Sequence, residues 1–315
     1  MTKPLIHIIV VLYNSDDAFS TLWQHLVAQH CQEWRLVAID NASLDGSAET
    51  LHAITDPRLT AVVNGTNLGF AGGVNQGLRR AVQDGATHCM LLNPDTVLPP
   101  DFLQELTDRW HQNGWPVIAP RVMRLDDPSR SWYAGGHLEY GWIFANRHDD
   151  YNPDDSTEPK VVDFASGCCL GVSTETLRKV GLLDESFFVY WEDTDFCMRL
   201  KEAGIPIHYL PEPFLLHEGG RSSGGETSHG GLRLFYKGYV LFLRKHFGLR
   251  VALATMARVF LSERERPSTD RKGRWIIVSA MLQGLRARLL QEPRLDGPPI
   301  PPQNPFEKSS VCDPA

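Results

Sequence analysis

The sequence predicts an α/β fold, in which a mostly parallel sheet carries helices on both faces and gives way to a mixed second half and C-terminal helices. Three observations predict it. Short β-branched runs alternate with longer segments of helical period from Ile6 to Gln112, an order that favours parallel strands. The runs are apolar on both faces, as strands covered by helices are. Polar clusters follow each run, at the carboxyl ends where open α/β sheets bind their ligands.

The first strand is expected at Ile6–Leu12, followed by Asn14, Ser15 and Asp16, and the first helix over 18–29, where Leu22 and Leu26 share a face. Leu36–Ile39 and Leu59–Val63 are the next two strands, ending in Asp40-Asn41 and in Asn64 and Asn67. A glycine-rich turn opens a helix over 71–83, and Cys89–Leu92 is a fourth strand ending in Asn93-Pro94-Asp95. A double proline then precedes a helix over 101–112. Past residue 115 the character changes: Val117–Ala119, a Gly135-Gly136 turn and Val161–Val172 point to antiparallel pairing. A helix over 193–203 and a strand over 205–210 complete this half, and the glycine-serine segment 218–231 has the make-up of a lid. Segments 232–247, 251–261 and 275–290 read as helices, and the proline-rich end as a disordered tail. The expected division is a main domain over 1–230, a helical region over 231–292 and a tail over 293–315.

Composition narrows the function. The 315 residues, 42% hydrophobic and 22% charged, suit an ordinary globular protein. A net charge of -7 excludes a surface built to neutralise a nucleic-acid backbone, so no nucleic-acid partner is expected. The six cysteines show no CxxC spacing, and the adjacent Cys168-Cys169 pair is poorly placed for a disulfide; reduced thiols in a cytoplasmic protein fit. Leu5–Tyr13 leads straight into polar residues without a small-residue cleavage site, reading as a strand and not a signal peptide. No stretch approaches the roughly 20 apolar residues a bilayer crossing needs. From Arg244 to Arg294, Lys and Arg outnumber Asp and Glu on segments with apolar faces. That pattern suits peripheral contact with the inner face of an anionic cytoplasmic membrane or, equally, a helical cap on the main domain.

The segments Val10–Asn14 and Ile39–Ser47 together resemble family 2 glycosyltransferases, and the resemblance continues in order to about residue 230. It implies a GT-A type, Rossmann-like nucleotide-binding sheet. Tyr13, Asn14 and Asp40 would then meet the donor nucleotide, with the Asp40 carboxylate accepting from the imide N–H of a uridine or thymidine base. Asp40, Ser43 and Asp45 serve equally well as turn and cap residues. The Asn67–Gly77 stretch, with its four glycines, resembles the third family motif and implies Asn67, Gly69 and Asn75 near the diphosphate, although Val74 stands where many members carry Arg or Lys. Glycines there also permit close helix packing.

Asn93-Pro94-Asp95 resembles the family's DxD motif with Asn93 in place of the first Asp, so Asp95 is the implied ligand of Mg2+ or Mn2+ and Asn93 a neutral neighbour. The aromatic run Phe187–Trp191 before Glu192-Asp193 closely resembles the catalytic Glu-Asp motif. Asp193 is the implied base toward the acceptor hydroxyl, with Glu192 as rival and Trp191 as a face for sugar stacking. Acids at a helix start are also favoured by its dipole. His217 is implied as second metal ligand and Arg221 as a phosphate contact. The Asn-Pro-Asp variant and the closing Leu243–Gly248 run, Leu-Arg-Lys-His-Phe-Gly, are similar to the rhamnosyltransferase-like subgroup. The implied activity is inverting transfer of a sugar from a dTDP- or UDP-sugar, dTDP-L-rhamnose foremost, to a glycan or lipid-linked acceptor. A non-catalytic sugar-nucleotide or glycan-binding protein and a nucleotidyltransferase are the alternatives.

Overall fold

The computed structural model describes residues 6–141, 144–151, 157–219, 228–265, 270–289 and 293–295. Its first half runs β1 (Ile6–Leu12), α1 (Asp16–Val27), β2 (Trp34–Asp40), α2 (Ser47–Ala53), β3 (Leu59–Val63), α3 (Gly69–Gln83) and β4 (His88–Leu92). These strands lie parallel in the order β4-β1-β2-β3. Register brings Leu12 opposite Asp40 and Asp40 opposite Val63, so the polar ends form one rim. The order of the sheet reverses at β1, between β4 and β2, where a crevice opens beyond the strand ends.

The sequence anticipates this half closely. β1 and β3 have the expected bounds, and α3 begins two residues before the expected helix. α2, seven residues long, is an addition to the expected elements. β3 departs from the expectation of burial on both faces: it is the edge strand and stays partly exposed. Close packing of α3 on the sheet accounts for its glycines, since a Cβ on Gly77 would lie 2.4 Å from Ile9 Cγ2 and one on Gly73 would lie 2.8 Å from Val11 Cγ1.

The second half contains β5 (Thr96–Val97), α4 (Phe102–Asn113), β6 (Val117–Arg124), β7 (Ser131–Tyr133), β8 (Gly136–Tyr140), β9 (Phe144–His148), β10 (Lys160–Val162) and β11 (Cys169–Ser173). It continues through α5 (Thr174–Val180), α6 (Glu192–Glu202) and β12 (Ile207–His217). β11 inserts antiparallel between β4 and β6, and β12 runs parallel to β6, extending one ten-stranded sheet. β8 and β9 form a separate hairpin. The expected strand ending at Leu210 is longer: the ladder breaks register between Leu210 and Phe214, where Pro211 and Pro213 cannot donate, and resumes to His217. That continuation carries His217 back to the rim.

Among the described residues three helices follow: α7 (His229–His246), α8 (Gly248–Glu265) and α9 (Arg271–Arg286). α7 lies against both the core and α9. A Cβ on Gly238 would sit 3.1 Å from the Trp191 ring, and one on Gly284 of α9 would sit 2.4 Å from the Lys237 carbonyl oxygen. Arg244 ties the two helix ends together by donating to the carbonyls of Gly284, Leu285 and Ala287. Residues 293–295 also pack: Leu182 N–H donates to Pro293 O at 2.9 Å and Leu295 is buried. The remainder of the expected tail, 296–315, lies outside the described residues, as do 220–227 of the expected lid.

Candidate active site

The rim collects three groups of side chains. At the end of β1, Asn14 adopts φ 52°, a conformation that Asn tolerates, and its N–H donates to Ser43 Oγ at 2.9 Å while its Oδ1 accepts from Leu44 N–H at 2.8 Å. Tyr13 beside it is exposed. Asp40 is 1% exposed; its Oδ2 accepts from Ser43 N–H at 3.1 Å, and its Oδ1 is buried without a partner among the described residues. A buried orphan acceptor is costly, and a ligand N–H would satisfy it. Asp45, by contrast, is turn chemistry: it accepts from Ser47 and from Asp16 N–H, and these bonds outweigh burial to hold its carboxyl below the ordinary value. A small cavity of about 160 Å³ joins Asn14, Asp16 and Asp45 to Asp95.

The second group stands past β4 and at the end of β12. Asp95 Oδ1 lies 3.1 Å from His217 Nε2, and Asn93 Nδ2 lies 3.4 Å from the same nitrogen. Burial pushes Asp95 up, but the His217 bond and charge, with backbone N–H donors, prevail and hold it below the usual value. His217 Nδ1 is buried without a partner among the described residues. Among those residues no cluster of three or more His, Cys, Asp or Glu is arranged around a metal. One carboxylate, one imidazole and an amide oxygen still fit a Mg2+ or Mn2+ that draws its other ligands from phosphates and water.

The third group begins α6. Tyr190 and Trp191 both take positive φ, 68° and 76°, each costing about 1–3 kcal/mol unless the surroundings enforce it. They lead directly into Glu192 and Asp193. Glu192 is 5% exposed, its Oε2 has no partner among the described residues, and burial followed by the Asp193 and Asp195 charges pushes its carboxyl well above the usual range. Burial and like charges both disfavour its ionised form. Asp193 is also raised by burial, but Gly167 N–H at 3.2 Å, the Thr194 N–H and hydroxyl, and the nearby His148 oppose the shift. Of the two acids, Asp193 is the one equipped to ionise.

The second and third groups meet. Asp193 Oδ2 accepts from Gly167 N–H, and the next residue, Cys168, accepts from Asn93 N–H at 2.9 Å through its carbonyl. Cys168 also feels the Asp95 charge. A Cβ on Gly167 would lie 3.3 Å from Phe70 and 3.8 Å from Asp193 Cβ, so the start of α3 reaches the same place.

Three expected contacts are not open to a ligand. Asn75 is fully buried, with Nδ2 donating to Leu183 O and Glu185 Oε1 and Oδ1 accepting from Leu183 N–H; it anchors the 183–185 loop and does not face the diphosphate. Gly69, φ 76°, makes room for the loop that carries Phe188: a Cβ would stand 2.3 Å from Phe188 O, and its N–H is taken by Asn67 Oδ1 at 2.8 Å. The Trp191 ring is 4% exposed, stacked on Tyr239 and near Phe235 and Phe242, so its faces are used in the core and not for a sugar. Arg221 lies outside the described residues.

Sequence reasoning missed Trp132 and His148. Trp132 meets the His217 ring edge-on at 4.6 Å and the His148 ring at 5.0 Å, and His148 Nδ1 lies 2.7 Å from Trp132 O. They come from β7 and β9, which carry no recognisable motif. The cysteines contribute no nucleophile: burial lifts Cys89 to about 12 and raises Cys168, Cys169 and Cys197 as well.

Fold and rim define an α/β protein whose cleft gathers acids from separate strands at the point where the sheet order reverses. The chain belongs to glycosyl transferase family 2, whose model matches residues 7–181. It is 28% identical over 207 residues to a low-salt glycan biosynthesis hexosyltransferase, Agl10, of Haloferax volcanii, covering 64% of this chain and 62% of the relative. It is 27% identical over 270 residues to the N-acetylglucosaminyl-diphospho-decaprenol L-rhamnosyltransferase of Mycobacterium tuberculosis, covering 74% and 85%. With the dTDP-rhamnosyl transferase RfbF of Shigella flexneri it shares 24% identity over 221 residues, covering 69% and 70%. Among solved structures, GalNAc-T7 with UDP, GalNAc and Mn2+ superposes with a TM-score of 0.63 at 14% identity, covering 88% of this chain and 54% of that one. The Pyrobaculum calidifontis mannosyltransferase PcManGT, with GDP-Man and Mn2+, gives 0.55 at 14% identity, covering 90% and 86%. The fold is the GT-A fold of these neighbours.

Proposed function

We propose that the chain is an inverting, metal-dependent glycosyltransferase that moves a sugar, rhamnose from dTDP-L-rhamnose foremost, to a hydroxyl of a glycan or lipid-linked acceptor in cell-surface polysaccharide synthesis. The observation that carries this reading is the convergence of Asp95 and Asp193, 98 positions apart in sequence, on the adjacent residues Gly167 and Cys168. The orphan Oδ1 of Asp40 supports a uracil or thymine imide donor, and two relatives named for rhamnose transfer support the sugar.

In this mechanism Asp40 reads the base, and Tyr13 and Asn14 flank the nucleoside. Asp95 and His217 would hold a divalent ion, with Asn93 as a neutral neighbour, and the ion would supply positive charge against the departing nucleoside diphosphate. Asp193 orients the acceptor hydroxyl and takes its proton as the new glycosidic bond forms. Glu192, whose ionisation is disfavoured by burial and its acidic neighbours, limits the negative charge beside that carboxylate. A single displacement inverts the anomeric centre.

A membrane site for the acceptor is part of the reading. Leu253, Phe260, Leu261, Trp275 and Leu282 are exposed on α8 and α9 beside exposed Arg250, Arg271, Lys272 and Arg286. Apolar side chains with cations around them suit the cytoplasmic face of an anionic bilayer. No helix among the described residues is long and apolar enough to cross one.

The test is a panel of dTDP-, UDP- and GDP-sugars with Mg2+ or Mn2+ and prenyl-diphosphate-linked glycans, following nucleoside diphosphate release. Turnover with a dTDP- or UDP-sugar is expected. Release of pyrophosphate, or binding without turnover, would overturn the reading. For the membrane site, co-sedimentation with vesicles containing phosphatidylglycerol but not with pure phosphatidylcholine is expected, and absence of both removes it.

A further inference from the structure

The Arg244-Lys245-His246 run at the end of α7 resembles a basic surface patch in sequence, but its Lys and His side chains point inward. The Lys245 side chain is 13% exposed and that of His246 is 5% exposed. Lys245 Nζ lies 2.7 Å from Asp184 Oδ2 and 2.8 Å from Asp195 Oδ1, and His246 Nε2 lies 2.8 Å from that same Asp195 oxygen. Both carboxylates are 0% exposed. The other Asp195 oxygen accepts from Arg199 Nε at 2.9 Å, and Arg199 donates onward to Val180 O and Leu182 O. On the far side, His246 Nδ1 lies 3.6 Å from Glu202. Burial pushes Asp195 up, yet His246, Arg199 and Lys245 together bring it down to about 2.

The positions of the two acids matter more than their charges. Asp184 opens the loop that enters the cleft, and Asp195 stands in the first turn of α6. Between them lie the two left-handed residues Tyr190 and Trp191 and the acids Glu192 and Asp193. A backbone turn held against its preference persists only where its flanks are fixed. Lys245 fixes both flanks with one ammonium group, and His246 secures the second.

We infer that Lys245 and His246 are positioning residues for Asp193: they bracket the strained turn before it and hold its carboxylate where the acceptor hydroxyl arrives. This rests on the reading of Asp193 as the base. The bracket also joins α6 to α7, and through α7 to the outer helices.

The experiment compares Lys245→Met, Lys245→Arg and Asp193→Asn in the full chain by steady-state kinetics with the active donor and acceptor, after circular dichroism and thermal melting establish folding. Misplacement by about 1 Å from a distant change costs up to ~100-fold in rate, so Lys245→Met is expected to lower kcat ~10- to 100-fold with donor KM within about threefold, and Lys245→Arg to restore part of the loss. A folded Lys245→Met with kcat near that of the parent, while Asp193→Asn is inactive, overturns the bracket and leaves the base reading intact. An active Asp193→Asn overturns the base reading itself, and the inference with it. Should Lys245→Met fail to fold, His246→Ala and His246→Gln replace it. Low kcat in the first and recovery in the second, which keeps a donor at the Nε2 position, support the bracket. Equal kcat in both, at the parent level, overturns it.

Discussion

The Asn93–Asp95 corner and the Glu192–Asp193 corner of the cleft are both acidic and both largely enclosed, yet their surroundings drive them apart. Asp95 has an imidazole at 3.1 Å and stays below the ordinary carboxylate value. Glu192 has, among the described residues, an unpartnered oxygen and two acidic neighbours, and is pushed well above it. One environment favours an anion suited to a metal. The other disfavours ionisation of Glu192 beside a second acid that collects hydrogen bonds and can ionise. Separation of this kind, set by environment and not by residue type, assigns different roles to chemically similar groups.

The sharpest break of that contrast is Asp193→Asn. Loss of a general base costs ~10²–10⁴-fold in turnover, with donor affinity by calorimetry unchanged; activity near the parent's would leave the two corners without distinct roles. Next is His217→Ala, which removes the partner holding Asp95 down. The metal concentration for half-maximal rate should rise by ~10- to 100-fold, the scale seen for residues that support a metal site, and an unchanged metal titration would separate His217 from the ion. Asp40→Ala tests the third group of the rim: a hydrogen bond to a charged acceptor contributes about 1.5–3 kcal/mol, so KM for the dTDP-sugar should rise by about tenfold or more while kcat falls little.

The smallest effects concern stability. Glu192 binds its proton more tightly folded than unfolded, so its contribution is present at low pH and declines as pH rises above the unfolded value near 4.3. Glu192→Gln should therefore raise the urea midpoint at neutral pH and flatten that dependence. Asp195 has the opposite sign. Its folded value of about 2 lies below the unfolded value near 3.9, so its contribution is complete above that value and is lost as pH falls through 2. Urea midpoints measured from about pH 3 to about pH 8, a range that brackets the ordinary carboxylate and histidine values, should change in opposite directions for Glu192→Gln and Asp195→Asn. Parallel changes would mean that the two acids share one environment.

Legibility followed locality. Asp40, Asp95 and Asp193 sit next to short-range signals: a buried strand ending in an acid, or an aromatic run ending at a helix start. Trp191 and Asn75 belong to equally visible motifs, but their motifs did not disclose which way they face. Trp191 turned out to be part of the core and Asn75 an anchor for a loop 108 positions away. Trp132 and His148 have no local pattern at all and reach the cleft only because the β8–β9 hairpin and β7 fold over it.

By itself the sequence determined the parallel sheet, the rim at its carboxyl ends and the acids placed there, because strand period, helix period and the residues that end a strand are read within a few positions. Only the tertiary structure decided that β12 passes its prolines to deliver His217 to Asp95 across 122 positions, and that His246 reaches Asp195 across 51. Those contacts depend on sheet register and helix packing, which sum small preferences over the whole chain and leave no mark at either residue.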